Sequence, residues 1–374
     1  MDIELPGEDD PRRQEVRRWL EEHPNASPDE LSRAGYVVPH WPKPWGVDAE
    51  PELQLIIDDE LKRAGVRRPM NPIGIGHCGP VLIVHGTDEQ RERYIWPMLR
   101  GEEIWCQLFS EPGAGSDLAG LTTRAVRDGD VYVVNGQKIW TSIAEMAKFG
   151  ILIARTRPDL PKHSGISYFI IPMDLPGIQI REIKNMVGSG TRFNEVFFTD
   201  VRVPAENLIG DENKGWGMAK ETLANERVSL SVGGVQWGYG PTAADLVESM
   251  RDAGGVADPV LRHRLVDVFI EGEILRYHRL RQVSAAVNKK PGPDASLRKA
   301  LNDPHGKRVS NLAKDLMGPA GMLGDSSLPG PMGDWWSTGF LFSPALTIGG
   351  GTSEVLRNVM AERLLGLPHD PAVV

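Results

Sequence analysis

Residues 108–123 read LFSEPGAGSDLAGLTT, a glycine-rich loop set inside a region of β-forming residues. Gly113 and Gly115 leave little side-chain bulk there, so backbone N–H groups can approach an anionic ligand closely. Ser110 and Ser116 add hydroxyl groups on either side of these glycines. Taken alone, a loop of this composition is most often an ordinary turn, so the sequence around it must distinguish a turn from a ligand site.

A second element follows at residues 135–142, which read NGQKIWTS. An Asn-Gly turn leads into a strand that carries Trp140, followed by the hydroxyls of Thr141 and Ser142. An indole beside hydroxyls suits a flat heteroaromatic cofactor, because the ring can cover one face while a hydroxyl reaches a ring nitrogen. In isolation, Trp140 is more often a core residue at the end of a strand.

The sequence around these two elements predicts three segments. Residues 104–205 contain short runs of β-branched and aromatic residues separated by Gly, Pro and Asp, which predict a small all-β domain. Residues 1–103 show helical periodicity, as in PELQLIIDDELKRAG at 51–65, and predict an all-α domain. Residues 206–374 return to long amphipathic helices separated by Gly-Pro-rich connectors, so a second helical domain is expected there.

The composition excludes several classes of protein. Acidic residues (51) outnumber basic ones (42) and the net charge is −9, whereas a nucleic-acid surface shows a basic stripe. Two cysteines cannot staple a chain of 374 residues, and no Cys/His spacing resembles a metal site. The N-terminus is charged, and no run of about eighteen apolar residues occurs. We therefore predict a cytoplasmic protein with no nucleic-acid partner, no metal and no membrane span.

The order of EPGAGSD and NGQKIWTS between two helical regions resembles the acyl-CoA dehydrogenase family of flavoenzymes. Three further phrases occur in the family's order: HGTDEQRERYIWPMLRGE, FFTDVRVPAENLIGDENKGW and GGGTSEVLRNVMAERLLGLP. The resemblance implies an α+β multidomain fold with an all-α N-terminal domain, a central β-barrel and a C-terminal four-helix bundle. It also implies FAD as cofactor, α,β-dehydrogenation of an acyl-CoA thioester, and electron transfer to an electron-transfer flavoprotein.

The resemblance further implies which positions contact FAD. These are Gln107, Leu108, Ser110, Ser116, Trp140, Thr141, Ser142, Gly318, Gly321, Thr352 and Glu354. In the family's pattern Trp140 packs on the isoalloxazine ring, Ser142 approaches flavin N5, and Ser116 reaches both the cofactor phosphates and the CoA arm. Gly318 and Gly321 match a glycine loop that receives the adenine end of FAD from a neighbouring subunit.

The expected catalytic base departs from the most familiar family pattern. In many members a Glu precedes Gly-Thr in the last loop, but here that position is Gly350. In a second arrangement, similar to isovaleryl-CoA and long-chain acyl-CoA dehydrogenases, the Glu lies on a helix immediately before an Arg. Residues 222–227 read TLANER, so the resemblance implies Glu226 as the base and Arg227 as a residue that orients the loop or the substrate arm. Without the resemblance, such a pair is usually a solvated surface pair. An Asp often found two residues earlier is Ala224 here.

A second departure concerns the assembly. Many members carry an Arg-x-x-Phe-Gly phrase that reaches a neighbouring subunit's FAD, and this chain has EILRYHRLRQVSAAVNKK instead. Arg276, Arg279 or Arg281 could substitute, although a charge run of this kind usually marks a plain helix surface. Relatives in actinobacterial sterol and cholate catabolism resemble this stretch and form mixed assemblies. The expectation is a homo- or hetero-tetramer, with a branched or steroid side-chain substrate.

Two other functions stay open from the sequence. The scaffold also suits a flavin oxidase or monooxygenase, which would consume O₂ when substrate is added. Alternatively, the chain could be a non-catalytic partner subunit that completes another chain's flavin site, although the retained Trp140, Ser142 and Glu226 count against this role.

Overall fold

The structure is a computed structural model that describes residues 7–188, 193–230, 242–287, 294–322 and 333–368. The chain divides into two compact units. One comprises residues 2–184 and 191–226, and the other comprises Met1, residues 185–190 and residues 227–374. Each unit has its own buried hydrophobic core.

In its described residues the first unit begins with five α-helices. They are α1 (Pro11–Glu22), α2 (Pro28–Arg33), α3 (Pro51–Arg63), α4 (Gly79–His85) and α5 (Asp88–Leu99), with a π-helical turn at Gly74–Cys78 before α4. Side-chain oxygens of Asp10, Ser27 and Thr87 cap α1, α2 and α5 by accepting from backbone N–H groups. The helix expected from PELQLIIDDELKRAG is present as α3, which buries Ile56 and Ile57 against α1. The all-α N-terminal part is therefore confirmed.

Eight strands follow among the described residues and form a single sheet. They are β1 (Trp105–Leu108), β2 (Arg124–Asp128), β3 (Val131–Ser142), β4 (Phe149–Arg155), β5 (Ile166–Pro172), β6 (Ile178–Glu182), β7 (Phe193–Pro204) and β8 (Leu208–Ile209). Their order is β6-β7-β3-β2-β4-β5-β8, with β1 parallel beside β4. The central β domain is confirmed.

The central sheet is open, whereas the family resemblance implied a barrel. Among the described residues no ladder joins β6 to β8, and β2 meets β4 through one residue pair, Arg124 with Arg155. The sheet nearly divides at that point, and its two halves fold over a shared core that includes Tyr132 and Phe169. The core between the two halves is buried although the sheet does not close into a ring. Burial of this core therefore does not require a barrel.

Strands β4 and β5 are buried on both faces. Leu152 and its alternate neighbours enter the core between the two halves of the sheet, whereas Ile151 and Ile153 face a second core. That second core contains Leu82 of α4 and Met218 of helix α6 (Gly215–Leu230). Because both faces are buried, the sequences of these strands are almost continuously apolar. Packing on the outer face holds α4 and the start of α6 against the sheet.

The second unit is helical. Its helices are α7 (Ala243–Asp252), α8 (Pro259–Val287), α9 (Asp294–Met317), α10 (Gly333–Leu346) and α11 (Ser353–Arg363). Helix α9 is central and packs against α7, α8, α10 and α11 around Leu312 and Trp336. The helical C-terminal part is thus confirmed. No helix within the described ranges is long and apolar enough to cross a membrane.

Candidate active site

A β-bulge in β3 turns Trp140 out of the sheet. The register of β3 against β7 shifts between Lys138 and Thr141, and Trp140 has a left-handed backbone with φ of 60°. Its indole is 57% exposed and packs edge-on against Phe193, with ring centroids 6.1 Å apart. Bulges re-aim side chains, and an aromatic residue held in this backbone region is typical of functional sites. The strand therefore leaves a large aromatic surface exposed, on which a flat ligand could pack.

Hydroxyl groups surround this indole. Ser142 is half-buried, while Thr141 is buried and its Oγ1 has no hydrogen-bond partner among the described residues. The backbone N–H of Ile139 donates to the Ser110 carbonyl oxygen at 2.9 Å, which ties the start of the glycine-rich loop to this end of β3. An aromatic face beside an unsatisfied buried hydroxyl fits a flat ring that carries polar atoms.

The glycine-rich loop is organised from inside by the carboxylate of Glu111. This carboxylate accepts from the backbone N–H of Thr122 at 2.7 Å, from that of Thr123 at 2.9 Å, and from Lys138 Nζ at 2.9 Å. A Cβ added at Gly113 or Gly115 would meet no atom within 4 Å, so the outer side of the loop is open. The loop combines a fixed conformation with backbone that a ligand can approach, as an anion-binding loop requires.

Glu111 and Lys138 form a buried ion pair. Burial alone would raise the pKa of Glu111, but the charge of Lys138 and hydrogen bonds from Thr123 and Thr122 outweigh it and hold that pKa at about 2. Burial lowers the pKa of Lys138 to about 8, against the opposing pull of Glu111. Both groups are consequently charged at neutral pH. Neither residue belongs to the site predicted from the sequence. The signal for Lys138 is a charged residue inside a β-forming run.

Helix α6 carries Glu226 into the interior of the first unit. Met218, Thr222 and Glu226 lie on one face of α6, at successive turns. Thr222 Oγ1 donates to the Met218 carbonyl oxygen at 2.9 Å, so the Tyr168 hydroxyl, also 2.9 Å away, must donate to Thr222 Oγ1. Tyr168 is fully buried on β5. This bond anchors the helix on the sheet, and Glu226 is only 8% exposed.

Substitutions of the two partners of the Tyr168–Thr222 hydrogen bond are expected to lower the free energy of unfolding by different amounts. Tyr168→Phe deletes the donor and leaves Thr222 satisfied through Met218, so we expect a loss of about 1 kcal/mol in the free energy of unfolding. Thr222→Val instead leaves the buried Tyr168 hydroxyl without its acceptor, and we expect about 2 kcal/mol. Urea denaturation of both variants measures the difference. Equal losses, or a larger loss for Tyr168→Phe, would contradict the assigned direction of the bond.

Gln107 connects the predicted base to the strand that precedes the loop. Its Nε2 donates to Glu226 Oε2 at 3.1 Å, and its Oε1 lies 2.9 Å from His77 Nδ1. The structure therefore brings together two residues from the sequence-based set, Gln107 and Glu226. It adds His77, which carries no sequence motif of its own. Leu108, also in the predicted set, is fully buried in the sheet core.

A cleft of about 480 Å³ lies at the start of α6. Its lining includes His163, Lys214 and Trp216, and the rings of His163 and Trp216 are 5.1 Å apart. Lys162, in the loop that forms one side, donates to Asp117 at 3.0 Å. Asp117 directly follows the exposed Ser116, so this bond links the cleft's rim to the end of the glycine-rich loop.

The remaining predicted positions lie in the second unit. Gly318 is exposed with φ of 56°, and Gly321 is buried where a Cβ would meet the Lys314 carbonyl oxygen at 2.9 Å. Thr352 Oγ1 caps α11 by accepting from a backbone N–H, and Thr352 and Glu354 line a cleft of about 450 Å³. The side chain of Arg227 lies outside the described residues.

Comparison with known proteins identifies the family. Acyl-CoA dehydrogenase N-terminal, middle and C-terminal domain models match residues 8–102, 106–201 and 213–365. The chain belongs to the acyl-CoA dehydrogenase family. The resemblance drawn from the sequence is thereby confirmed, and with it the predicted class of enzyme, an oxidoreductase acting on acyl-CoA.

Two curated acyl-CoA dehydrogenases of Mycobacterium tuberculosis are similar to this chain. FadE34 is 40% identical over 340 residues, which cover 91% of this chain and 46% of FadE34. IpdE1 is 36% identical over 367 residues, which cover 98% of this chain and 91% of IpdE1. The chain thus spans about half of FadE34 (46%) and nearly all of IpdE1.

Solved acyl-CoA dehydrogenase structures share the fold. The steroid ACAD Tcur3481-Tcur3483 matches with a TM-score of 0.80 and 30% identity, over 99% of this chain and 100% of that one. The ChsE4-ChsE5 complex from Mycobacterium tuberculosis matches with a TM-score of 0.79 and 30% identity, over the same shares. Heteromeric assemblies therefore occur among the structural neighbours, and the family in general implies a flavin cofactor.

Proposed function

We propose that this chain catalyses FAD-dependent α,β-dehydrogenation of an acyl-CoA thioester to the trans-2-enoyl-CoA. The observation that carries the proposal is the buried carboxylate of Glu226, held by Gln107 on the strand that leads into the glycine-rich loop. A buried carboxylate that is held by a hydrogen-bond donor suits removal of a proton α to a carbonyl. The family assignment supplies the reaction class in which such a base is needed.

The residues of the first unit fit a flavin. The exposed indole of Trp140, the unsatisfied hydroxyl of Thr141 and the half-buried Ser142 would hold the ring system. The open backbone at Gly113 and Gly115 would hold phosphate groups. When bound, FAD supplies the acceptor for the hydride that leaves the β carbon. We assign FAD, rather than another flavin, because Gly318 and Gly321 match a glycine loop that receives the adenine end of FAD in the family, and Thr352 and Glu354 match positions that contact FAD.

Glu226 takes the α proton in this proposal. Its Oε2 accepts from Gln107 Nε2, and in the proposal the carboxylate faces the α proton of the bound thioester. Burial excludes bulk water from the carboxylate, so proton transfer occurs between two fixed partners. Arg227, next in the sequence, is proposed to orient the substrate arm.

The cleft at the start of α6 is proposed to take the nucleotide end of CoA. Trp216 and His163 offer ring faces for stacking on adenine, and Lys214 offers a positive charge for phosphate. The neighbouring Ser116 is proposed to contact the arm between nucleotide and thioester. Stacking and charge together suit an adenine nucleotide better than a purely apolar ligand.

The acyl group is proposed to be branched or a steroid side chain. Gly350 stands where many family members have a Glu, which removes a side chain from that loop. Gly350 and Gly351 both have left-handed backbones, with φ of 66° and 101°. The solved steroid ACAD with 30% identity supports the same class of substrate.

We propose a tetramer containing a second acyl-CoA dehydrogenase-like chain, with an electron-transfer flavoprotein as electron acceptor. Helix α8 has exposed apolar side chains on successive turns, which a partner chain would cover: Val266, Phe269, Ile270, Ile274 and Tyr277. Arg276 of the same helix pairs with Glu273 at 2.8 Å. The ChsE4-ChsE5 complex supports a mixed assembly. The cytoplasmic compartment stays a prediction.

Expression with and without a candidate partner chain tests the assembly. The proposal predicts a mixed tetramer whose flavin content depends on both chains. A homotetramer with one FAD per subunit from this chain alone would contradict the mixed assembly.

The activity is tested by anaerobic spectroscopy. Straight, branched and steroid CoA thioesters are added separately to the purified yellow protein, and flavin absorbance is followed. The proposal predicts bleaching by at least one branched or steroid thioester. Rapid O₂ consumption in air would instead support an oxidase or monooxygenase. A complex whose flavin bleaches equally fast when this chain carries Glu226→Gln would support the partner-subunit role.

Trp140→Ala is expected to weaken flavin binding by about tenfold or more, because the ring loses an aromatic surface. The fold should be almost unaffected, since the indole is 57% exposed. Val126→Ala is the matched control, because Val126 is 61% exposed on the neighbouring strand β2. Flavin retained after dialysis measures the effect. Equal flavin contents in both variants would remove Trp140 from the flavin site.

A further inference from the structure

Three side chains from three elements form a continuous hydrogen-bond chain. His77 lies in the π-helical turn Gly74–Cys78, Gln107 on β1, and Glu226 on α6. His77 and Glu226 are each only 8% exposed, and Gln107 is half-buried. The two joining distances are 2.9 Å from His77 Nδ1 to Gln107 Oε1 and 3.1 Å from Gln107 Nε2 to Glu226 Oε2.

The chemistry of the three groups fixes the direction of these bonds. An ionised Glu226 can only accept, so Gln107 must turn its NH₂ group towards the carboxylate. The Gln107 carbonyl oxygen then faces His77, and Nδ1 must carry the proton that is donated to it. A flipped amide would place Gln107 Oε1 against the carboxylate and leave two acceptors facing each other. A proton on His77 Nδ1 therefore favours the orientation of the Gln107 amide in which its NH₂ group donates to the Glu226 carboxylate.

The position of His77 is set by a rigid local frame. Asn71, which is buried, donates to the Met98 carbonyl oxygen at 3.1 Å and accepts from the Trp105 backbone N–H at 3.2 Å. It thereby joins the π-helical turn to the start of β1. A Cβ at Gly74 would approach the Asn71 side chain to 2.7 Å, so this packing needs a glycine. Isolated π-helical turns are frequent at functional sites.

We propose that His77 is a positioning residue for the base. Its Nδ1–H holds the Gln107 amide, and the amide holds the Glu226 carboxylate in one orientation towards the α proton. The inference rests on the proposed role of Glu226 as the base. In this proposal His77 does not contact the substrate. Loss of the His77 side chain should therefore slow proton removal and leave thioester binding almost unchanged.

The variants His77→Leu and His77→Asn test this role. Leu removes the donor, whereas the Asn amide N–H can take the place of Nδ1–H. We expect His77→Leu to slow flavin reduction at saturating thioester by about tenfold, with KM changed by less than about twofold, since one hydrogen bond to the relay is lost. His77→Asn should restore most of the rate. Cys78→Ala, in the same turn and fully buried, is the control for general disturbance and should keep the wild-type rate.

A double-mutant cycle with Gln107→Leu separates positioning from an independent effect. If His77 acts through Gln107, His77→Leu should cause no further loss of rate in the Gln107→Leu background. The proposal would be overturned if the rate losses of His77→Leu and Gln107→Leu multiplied in the double variant. It would also be overturned if His77→Asn and His77→Leu lost the same rate. A loss in His77→Leu that appears in KM alone would overturn it as well.

A crystal structure of His77→Leu gives a readout that needs no activity. The proposal predicts that the Gln107 Nε2 to Glu226 Oε2 hydrogen bond is lost, and an intact bond in this variant would overturn it. A different result would contradict only the proposed role of Glu226 as the base. In that result Glu226→Gln keeps full turnover, while the hydrogen bond between Gln107 and Glu226 still depends on His77. Full loss of turnover in Glu226→Gln together with wild-type geometry and rate in His77→Leu would overturn the positioning role alone.

Discussion

Glu226→Gln is expected to slow flavin reduction by an acyl-CoA thioester by about 10³- to 10⁴-fold, the upper part of the range for loss of a general base. Gln has nearly the same shape and can still contact Gln107, so the helix should keep its position on the sheet. It has no basic oxygen that can take a proton at neutral pH. The loss should therefore appear in the reduction rate constant, measured by stopped-flow absorbance, while bound flavin stays at the wild-type level.

Glu221→Gln is the matched control for this experiment. Glu221 lies on the same helix, is exposed, and contacts His85 at 2.8 Å on the surface. Its substitution should change the rate by no more than about twofold, as usual for an exposed pair. A Glu226→Gln enzyme that reduces its flavin as fast as Glu221→Gln would remove Glu226 from the role of base.

Lys138→Met is expected to lower the free energy of unfolding by about 3–5 kcal/mol, because it leaves the Glu111 carboxylate buried without its counter-charge. Lys138 Nζ also donates to the Phe109 carbonyl oxygen at 2.9 Å, so a backbone acceptor in the loop loses its donor. We expect the glycine-rich loop to loosen and flavin content to fall in the same variant. Urea denaturation and flavin absorbance measure the two effects.

The pH dependence of this loss gives a sharper test. In the wild type the pKa of Glu111 is about 2, below its ordinary 4.5, so its stabilising contribution is present above pH 4.5 and is lost as the pH falls towards 2. Without Lys138, burial would raise this pKa, and Glu111 would bind a proton as the pH falls. The difference in stability between variant and wild type should therefore shrink from pH 7 to pH 4.5.

Lys148→Met is the control for loss of a lysine beside the same sheet, since Lys148 directly precedes β4. Lys148 pairs with Asp174 at 2.6 Å, but both residues are exposed. Exposed pairs contribute little, so we expect a loss below about 1 kcal/mol and no pH trend of the kind described for Lys138. Equal losses in Lys138→Met and Lys148→Met would contradict the account of the buried pair.

The sequence predicted the parts of the site that have short, local signatures. Trp140 and the loop around Gly113 were found because an indole beside hydroxyls and a run of small residues are visible in neighbouring positions. Glu226 is predicted as the base from the family's pattern and from the glycine at position 350. The three-part order of helices, strands and helices also followed from local periodicity.

The parts that the sequence could not predict depend on contacts between distant segments. His77 and Gln107 lie on different elements, and their bond forms where Asn71 joins the π-helical turn to β1. Lys138 reads as an ordinary polar strand residue until Glu111 is placed beside it. The open sheet could not be predicted for the same reason. The single residue pair between β2 and β4 leaves no signal in the sequence of either strand.

Anaerobic mixing of the flavin-loaded protein with limiting branched or steroid acyl-CoA is the most direct test of the central claim. Flavin bleaching and the thioester product are measured in the same sample. The account predicts one 2-enoyl-CoA formed for each flavin reduced, and almost none in the same time with Glu226→Gln. Flavin that stays oxidised with every thioester, or a product without the new double bond, would contradict it.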